Sequence, residues 1–334
     1  MTNFHYRDNT GLQDHMRWAF QGWSKNQYKD KEIKNPVYED LATMVVTNDV
    51  TLHGHYLTED CRDVASKLEY FNFSERGKIS IAEEYRETLQ GKITLPSEYD
   101  GIPLTQVKDF KNMARVTHVF FLRTNTSYTS IFQQAFEGAL ALQYVDLPIG
   151  ITHIGTYAFK SIKSLTTVDM KSNVEEIGSQ AFYETSINLT SLPAKLKLLK
   201  SGAFMDCREL TLSALPASLE TIESHVFFLC PKISINQLGG GDAKLSYIGM
   251  QAFGGGSGAN GTVTDIYFGS TVNFIGENAF KGYGKNGRVS TISFAKQSVE
   301  DYLMTDTAYH TSISTMGFDN PPYTEVWDWK GEGS

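Results

Sequence analysis

The sequence Ile151-Thr-His-Ile-Gly-Thr-Tyr-Ala-Phe159 recurs along the chain in variant form. Each copy ends in an Ala-Phe or Val-Phe pair, and the phenylalanines follow one another at spacings of 22 to 27 residues. The seven are Phe136, Phe159, Phe182, Phe204, Phe227, Phe253 and Phe280. A recurring period of this length is typical of repeat proteins, in which each copy forms one structural unit.

Further positions of the repeat are apolar in register with the phenylalanine. An aliphatic residue stands five positions before each of the seven, as Ile131 does before Phe136. Downstream, Leu142, Val145 and Leu147 alternate with polar residues, which predicts one short, half-buried strand in each unit. A unit of this size cannot bury its own apolar positions. We therefore expect neighbouring units to stack strand on strand into a solenoid.

The motif I-G-x-x-A-F, followed where intact by x-x-C-x-x-L and a strand ending in Leu-Pro, resembles the BspA-like leucine-rich repeat family. The resemblance covers about residues 91–297, including a degenerate unit around Phe110. It implies an α/β solenoid of about seven to eight repeats. It also implies the surface-exposed, adhesin-like role known for that family.

Glycine stands four residues before the phenylalanine in four repeats, for example Gly155 and Gly178. This predicts a tight turn or a close approach of two backbones. Because Lys200 and Glu223 occupy the same slot in two other repeats, a positive φ is not required there.

The three cysteines provide no disulfide framework. Cys207 and Cys230 occupy the family's cysteine position one repeat apart, so we expect them to be stacked neighbours. One interpretation is a pair of buried thiols that act as small hydrophobic residues; a disulfide or a metal pair is the alternative. Cys61 lies on a predicted helix and has no activating base that the sequence identifies.

Composition excludes several classes of protein. The 334 residues carry 30 basic and 38 acidic side chains, and a net charge of −8 disfavours binding to nucleic acid or to anionic lipid. No stretch approaches the roughly 18 apolar residues of a membrane span, and the first residues lack the features of a secretory leader. No hydrolase, zincin, Walker or dinucleotide motif occurs, so we expect neither an enzyme nor a cofactor.

Charge divides the chain into three predicted domains. Residues 1–90 have a net charge of −4, residues 91–297 of +2 and residues 298–334 of −6. The first part is predicted to be a small mixed α/β domain that anchors the chain or binds a partner. Apolar spacing predicts helices over residues 12–23 and 59–71, and alternation predicts a strand over residues 49–57. His53 and His55 would share one face of that strand and could chelate a metal, but no third ligand is evident.

The last 37 residues are predicted to be a C-terminal cap. A helix is expected to start near Ser298, and an extended tail follows two prolines. Trp327 and Trp329 would lie on one side of that tail. They either cover the exposed end of the core or contact another chain.

The outward positions of successive strands are predicted to form a broad concave binding face. Most are polar or aromatic, and three in the middle repeats are apolar. The candidate binding residues are Tyr144, Asp146, Thr167, Asp169, Leu189, Leu212, Ile235, Asp265 and Tyr267. Leu189, Leu212 and Ile235 would form an exposed apolar strip. Alternatively, their repeats read L-x-L-x-x-L, and a one-residue slip would place them in the core.

Two functions are consistent with these features. The first is a non-enzymatic recognition or adhesion module on a larger particle such as a phage virion, made in the cytoplasm, anchored through residues 1–90 and contacting a host or surface ligand through the solenoid. The second is a freestanding scaffold or surface adhesin of a bacterium or protist, exported without a signal peptide. An enzymatic activity seated in residues 1–90 is a distant third.

Overall fold

The computed structural model describes residues 16–24, 53–63, 65–74, 76–122, 127–171, 173–255, 263–284, 291–294 and 324–326. Residues 16–24, 53–59, 294 and 324–326 are described by their backbone alone. Within these ranges the chain forms strands, turns and three single-turn 3₁₀ helices, Cys61–Asp63, Leu68–Tyr70 and Glu83–Tyr85. None of the described helices is long and apolar enough to cross a membrane.

The strands of the described ranges are short. In chain order they are β1 (Met16–Ser24), β2 (His53–Asp60), β3 (Phe71–Ser74), β4 (Lys78–Ile81), β5 (Gln90–Leu95), β6 (Glu98–Tyr99), β7 (Ile102–Pro103), β8 (Gln106–Val107), β9 (Arg115–Phe121), β10 (Ser130–Ile131), β11 (Tyr144–Asp146), β12 (His153–Ile154), β13 (Thr167–Asp169), β14 (Glu176–Ile177), β15 (Leu198–Leu199), β16 (Thr221–Ile222), β17 (Gln237–Leu238), β18 (Tyr247–Ile248), β19 (Asp265–Phe268), β20 (Phe274–Ile275), β21 (Thr291–Phe294) and β22 (Thr324–Val326).

One side of the solenoid is a single sheet, which we call the long sheet. Its ten described strands follow the order β20-β18-β16-β15-β14-β12-β10-β8-β4-β3, and all neighbours except β3 and β4 are parallel. Ile131, Ile154 and Ile177 pair in exact succession, so the aliphatic position of the repeat forms one buried row. Residues at the same position of successive repeats therefore pair with each other in the sheet.

The opposite side carries two shorter sheets. The first flank sheet has the order β13-β11-β9-β5, and the second flank sheet has the order β17-β19-β21-β22. Residues 173–236, which are all described, form no strand on this side. The flank is therefore interrupted where the repeats read L-x-L-x-x-L.

The core is a column of phenylalanine rings. The seven repeat phenylalanines stack with centroid separations of 5.0 to 5.9 Å, and each ring is buried. Phe110 extends the column at 5.5 Å from Phe136, and Phe71 extends it further at 6.1 Å from Phe110. This confirms the predicted solenoid, which makes about eight turns and contains little helix.

The glycine slot is explained by close backbone contact. A Cβ added at Gly178 would lie 2.6 Å from the Thr156 nitrogen, and one at Gly155 would lie 2.5 Å from the Gln133 nitrogen. Left-handed backbone occurs two residues before the phenylalanine instead, as at Tyr157 with φ 58°. Of the two predicted reasons for glycine, close approach is therefore the correct one.

The N-terminal residues differ from two predicted helices. Residues 16–24 form β1, which pairs antiparallel with β2. The prediction of a helix over residues 12–23 is wrong from residue 16 onward, because these residues lie in β1. Aromatic residues such as Trp18 and Phe20 favour strands, and the strand register shifts between Phe20 and Gly22. The helix predicted over residues 59–71 is also wrong, since among the described residues of this range only Cys61–Asp63 and Leu68–Tyr70 form helical turns. The strand predicted over residues 49–57 agrees with β2 from His53 onward.

Strands on both sides of the predicted solenoid limits join its sheets. β3 and β4, which precede residue 91, belong to the long sheet. At the other end, β22 pairs parallel with β21. The helix expected near Ser298, together with Trp327 and Trp329, lies outside the described residues. The division into three domains stays a prediction.

Candidate recognition surface

The outward face of the first flank sheet carries two rows of side chains. Strand register aligns Thr94 with Phe120 and Asp146 with Asp169, and it places Tyr144 between His118 and Thr167. His118, Phe120 and Tyr144 form an aromatic cluster with ring centroids 5.6 to 6.1 Å apart. This face therefore combines aromatic, hydroxyl and carboxylate groups.

Exposure along the outward rows rises in one direction. Thr94 and Phe120 are fully buried and Asp146 is 8% exposed, whereas Thr167 and Asp169 are exposed. The covering element is the turn Cys61–Asp63, which packs against β5 and β9. The chain's own N-terminal segment thus lies over the β5 and β9 end of this sheet, and of the predicted face residues it reaches Asp146.

Charged groups link that segment to the sheet. Arg62 donates to both carboxylate oxygens of Asp60 and lies 3.7 Å from the Asp146 Oδ2. Lys171 Nζ lies 2.8 Å from the Asp146 Oδ1 and also pairs with Asp169. Burial by itself lowers the pKa of Lys171, but its hydrogen bonds to Asp146 and Asp169 outweigh burial and raise the pKa. The lysine therefore stays charged and screens the two carboxylates.

The predicted apolar strip in the middle repeats does not exist. Leu212 and Ile235 are fully buried in the solenoid core, and Leu189 is half-buried and packed against it. These repeats place Ile187 and Leu192 inward as well, so the L-x-L-x-x-L pattern shifts the phase of the chain. The alternative that these residues belong to the core is correct, and buried Leu212 and Ile235 cannot contact a partner.

The second flank sheet presents Asp265 and Tyr267. Asp265 is exposed, and hydrogen bonds from Thr291 and Thr264 lower the pKa of its carboxyl. Tyr267 is half-buried beside the Gly239–Gly241 turn, where a Cβ at Gly240 would lie 3.6 Å from its ring. Both residues lie on the outward side of β19, as predicted from the alternation.

The two repeat cysteines are buried and free. Cys207 Sγ donates to the Phe182 carbonyl at 3.0 Å, and Cys230 Sγ donates to the Phe204 carbonyl at 2.9 Å. Burial raises the pKa of Cys207 to about 12 and raises that of Cys230 as well. They are thiols satisfied by backbone acceptors, which agrees with the interpretation as small core residues.

Among the described residues, no three His, Cys, Asp or Glu side chains lie together so as to hold a metal. His53 and His55 both lie in β2, but their side chains are outside the description. The prediction that they are surface or packed histidines rather than metal ligands stays a prediction.

Sequence reasoning missed four residues of this surface, namely Arg62, His118, Phe120 and Lys171. Phe120 carried a signal, because it occupies an outward position next to inward Val119 and Phe121. The sequence contains no signal for Arg62 and Lys171, since only the folded chain brings each of them close to Asp146. The candidate residues Tyr144, Asp146, Thr167 and Asp169 are brought together as predicted.

Comparisons with known proteins agree with this architecture. The model of the BspA type leucine rich repeat region matches in six copies, over residues 83–211, 129–258 and 186–309. No curated protein matches the chain. Stacked-repeat solenoids use their extended surfaces to bind other proteins.

Three solved structures are similar. A leucine-rich repeat protein of Bacteroides ovatus is 18% identical with a TM-score of 0.50, covers 68% of this chain and 63% of its own, and shows the same fold. A T. pallidum leucine-rich repeat protein is 25% identical, with a TM-score of 0.47 and coverages of 56% and 86%. A leucine rich cell surface protein from Faecalibacterium prausnitzii is 22% identical, with a TM-score of 0.45 and coverages of 69% and 54%. Since the family model spans more than half of the sequence, the chain belongs to the BspA-type leucine-rich repeat family.

Proposed function

We propose that this protein is a non-enzymatic recognition module that binds a protein partner through its flank. The flank comprises the outward faces of the two flank sheets and the middle repeats between them. The observation that carries the proposal is the rise in exposure along the first flank sheet, from buried Phe120 to exposed Thr167 and Asp169. Aromatic and polar groups there stand on a rigid, closely packed core.

The chemistry of the flank supports a specific, polar interface. Tyr144 and Tyr267 supply large, stiff side chains of the kind enriched in protein interfaces. Asp169 and Asp265 supply exposed carboxylates, and the middle repeats supply small polar side chains such as Thr190. A partner with hydroxyl, amide and basic groups complements such a surface.

The site of display is a finer part of the proposal. We propose that a larger particle such as a phage virion carries the solenoid outward, with residues 1–90 as the attachment. The N-terminal sheet of β1 and β2 supports this, because its strands pair with each other and not with the solenoid sheets. A freestanding scaffold or adhesin of a bacterium or protist is the alternative. An image of the intact assembly tests it, since a solenoid buried at the centre would overturn peripheral display.

Photo-crosslinking in the native source tests the use of the flank. A photoreactive residue at Thr167 on the flank is compared with one at His153, an exposed position of the long sheet in the same repeat. We expect a discrete protein adduct from position 167 and none from position 153. Adducts from position 153 alone, or from neither position, would contradict the proposal.

A further inference from the structure

Residues 60–63 and 65–66 form a segment, here called the strap, that crosses the outward side of the first flank sheet at β5. Ser66 and Thr94 exchange two hydrogen bonds of 2.9 Å, from the Ser66 amide to the Thr94 carbonyl and from the Thr94 amide to the Ser66 hydroxyl. The Thr94 hydroxyl donates to the Cys61 carbonyl at 2.6 Å. Since β5 is the edge strand of this sheet, the strap covers backbone groups that a partner strand would otherwise reach.

The strap also covers apolar surface. Cys61 and Phe120 are both fully buried, yet neither belongs to the solenoid core. Phe120 lies on the outward side of the sheet beside Tyr144. The Cys61–Asp63 turn of the strap packs against β5 and against β9, the strand that carries Phe120.

The strap is fastened mainly by polar contacts. Arg62 bridges Asp60 of the strap and Asp146 of β11, and its side chain is 27% exposed. Ion pairs and hydrogen bonds that are accessible to solvent break more readily than the contacts of a continuous apolar core. The N-terminal sheet also ends at the strap, because β2 runs directly into it at Asp60.

We propose that the strap is an intramolecular occupant of the recognition surface, which a partner segment displaces. This inference rests on the proposed function of the flank. The partner segment has the chemistry that the strap itself displays, a small apolar residue followed by arginine in a tight turn. The small residue lies beside Phe120, the arginine pairs with Asp146, and the backbone bonds the edge of β5.

Thiol labelling of the full chain measures strap opening. Cys61 lies in the strap, whereas Cys207 and Cys230 are buried in the solenoid core and serve as internal references. We expect Arg62→Ala to raise the maleimide labelling rate of Cys61 about tenfold, with the two references unchanged. Asp146→Asn is expected to act in the same direction. Arg208→Ala, which removes the exposed pair with Asp206, is the matched control and should change none of the three rates.

Two labelling outcomes would overturn the strap as a separate opening unit. One is an unchanged rate at Cys61 in both variants. The other is an equal rise at all three thiols, because that would report opening of the whole solenoid. Circular dichroism of each variant confirms that the fold is retained.

Displacement is measured with a labelled synthetic peptide of residues 57–68. We expect it to bind the Arg62→Ala chain at least tenfold more tightly than the unaltered chain, in which the strap competes. The same peptide with Arg62→Gln is expected to lose at least tenfold in affinity. Equal binding by both chains, or no binding to either, would contradict the displaceable site. These outcomes are independent of crosslinking at Thr167, so the strap and the flank can fail separately.

Discussion

The two sides of the solenoid differ in regularity. The long sheet runs without a break through the described turns, and each of its rungs pairs in register with the next. The flank breaks into two sheets, and the turns between them form no strand over residues 173–236. Both sides enclose the same core, so the core alone does not require a regular sheet on each side.

Backbone contact on the long-sheet side contributes to the difference. In the four repeats with glycine in the slot, successive backbones lie so close that a Cβ at Gly276 would be 2.4 Å from the Met250 nitrogen, which leaves little freedom to shift. Where Lys200 and Glu223 occupy the slot, backbone hydrogen bonds between the parallel strands keep the register. On the flank, a shift of one residue turns Leu212 inward, where the alternation predicts an outward side chain, and the core remains continuous. One side therefore maintains the register of the repeat, whereas the register of the other side varies between repeats.

The largest expected effect tests the shared core. Phe204→Ala should lower the free energy of unfolding by about 3 to 5 kcal/mol, because it leaves a cavity between Phe182 and Phe227. Urea denaturation followed by circular dichroism measures the loss. Phe228→Ala, at a half-buried ring outside the column, is the control and should cost much less. Similar losses at both positions would show that the column has no special role in stability.

A second substitution tests the phase shift on the flank. Leu212→Ala should cost about 2 to 5 kcal/mol if Leu212 fills the core, whereas an exposed leucine costs about 0.5 kcal/mol or less. Leu140→Ala is the matched control, because that side chain is 66% exposed. Both are measured by urea denaturation. Equal stability of the two variants would show that Leu212 does not fill the core. The flank would then have no phase shift that distinguishes it from the long sheet.

A third, smaller effect depends on pH. Burial raises the pKa of Cys207 to about 12, above the unfolded value of about 8.5. The folded state thus holds the proton more tightly, so this stabilisation is complete below pH ~8.5 and declines as the pH rises. Cys230 shifts in the same direction. From pH 8 to pH 10 we expect a loss of about 1 to 2 kcal/mol from Cys207, and a further loss of the same sign from Cys230.

The control for this prediction is the double variant Cys207→Ala/Cys230→Ala. Its free energy of unfolding should decline less steeply over the same pH range, as measured by urea denaturation at each pH. The range stops at pH 10 because the buried hydroxyls of Tyr128 and Tyr283 also have raised pKa values and contribute above it. Parallel pH profiles for the two chains would contradict burial of neutral thiols.

Much of the flank was predictable where the strand pattern is intact. Tyr144, Thr167 and Asp169 follow the L-x-x-V-x-L alternation, and their outward placement needs only that pattern. Asp146 follows it too, yet it is buried because Arg62 and the strap lie over it. The local apolar pattern around Asp146 cannot predict that Arg62, 84 positions earlier in the chain, lies over it.

The stacking of the repeat was determined by the sequence itself, because apolar residues recur in register with each phenylalanine and stacking the repeats buries them in one continuous core. The phenylalanine column, the aliphatic row of the long sheet and the close backbone approach at Gly178 all follow from it. Only the tertiary structure decided which side chains of the flank are accessible. That outcome depends on contacts between distant segments, such as Thr94 with Cys61 and Arg62 with Asp146, which no local periodicity encodes.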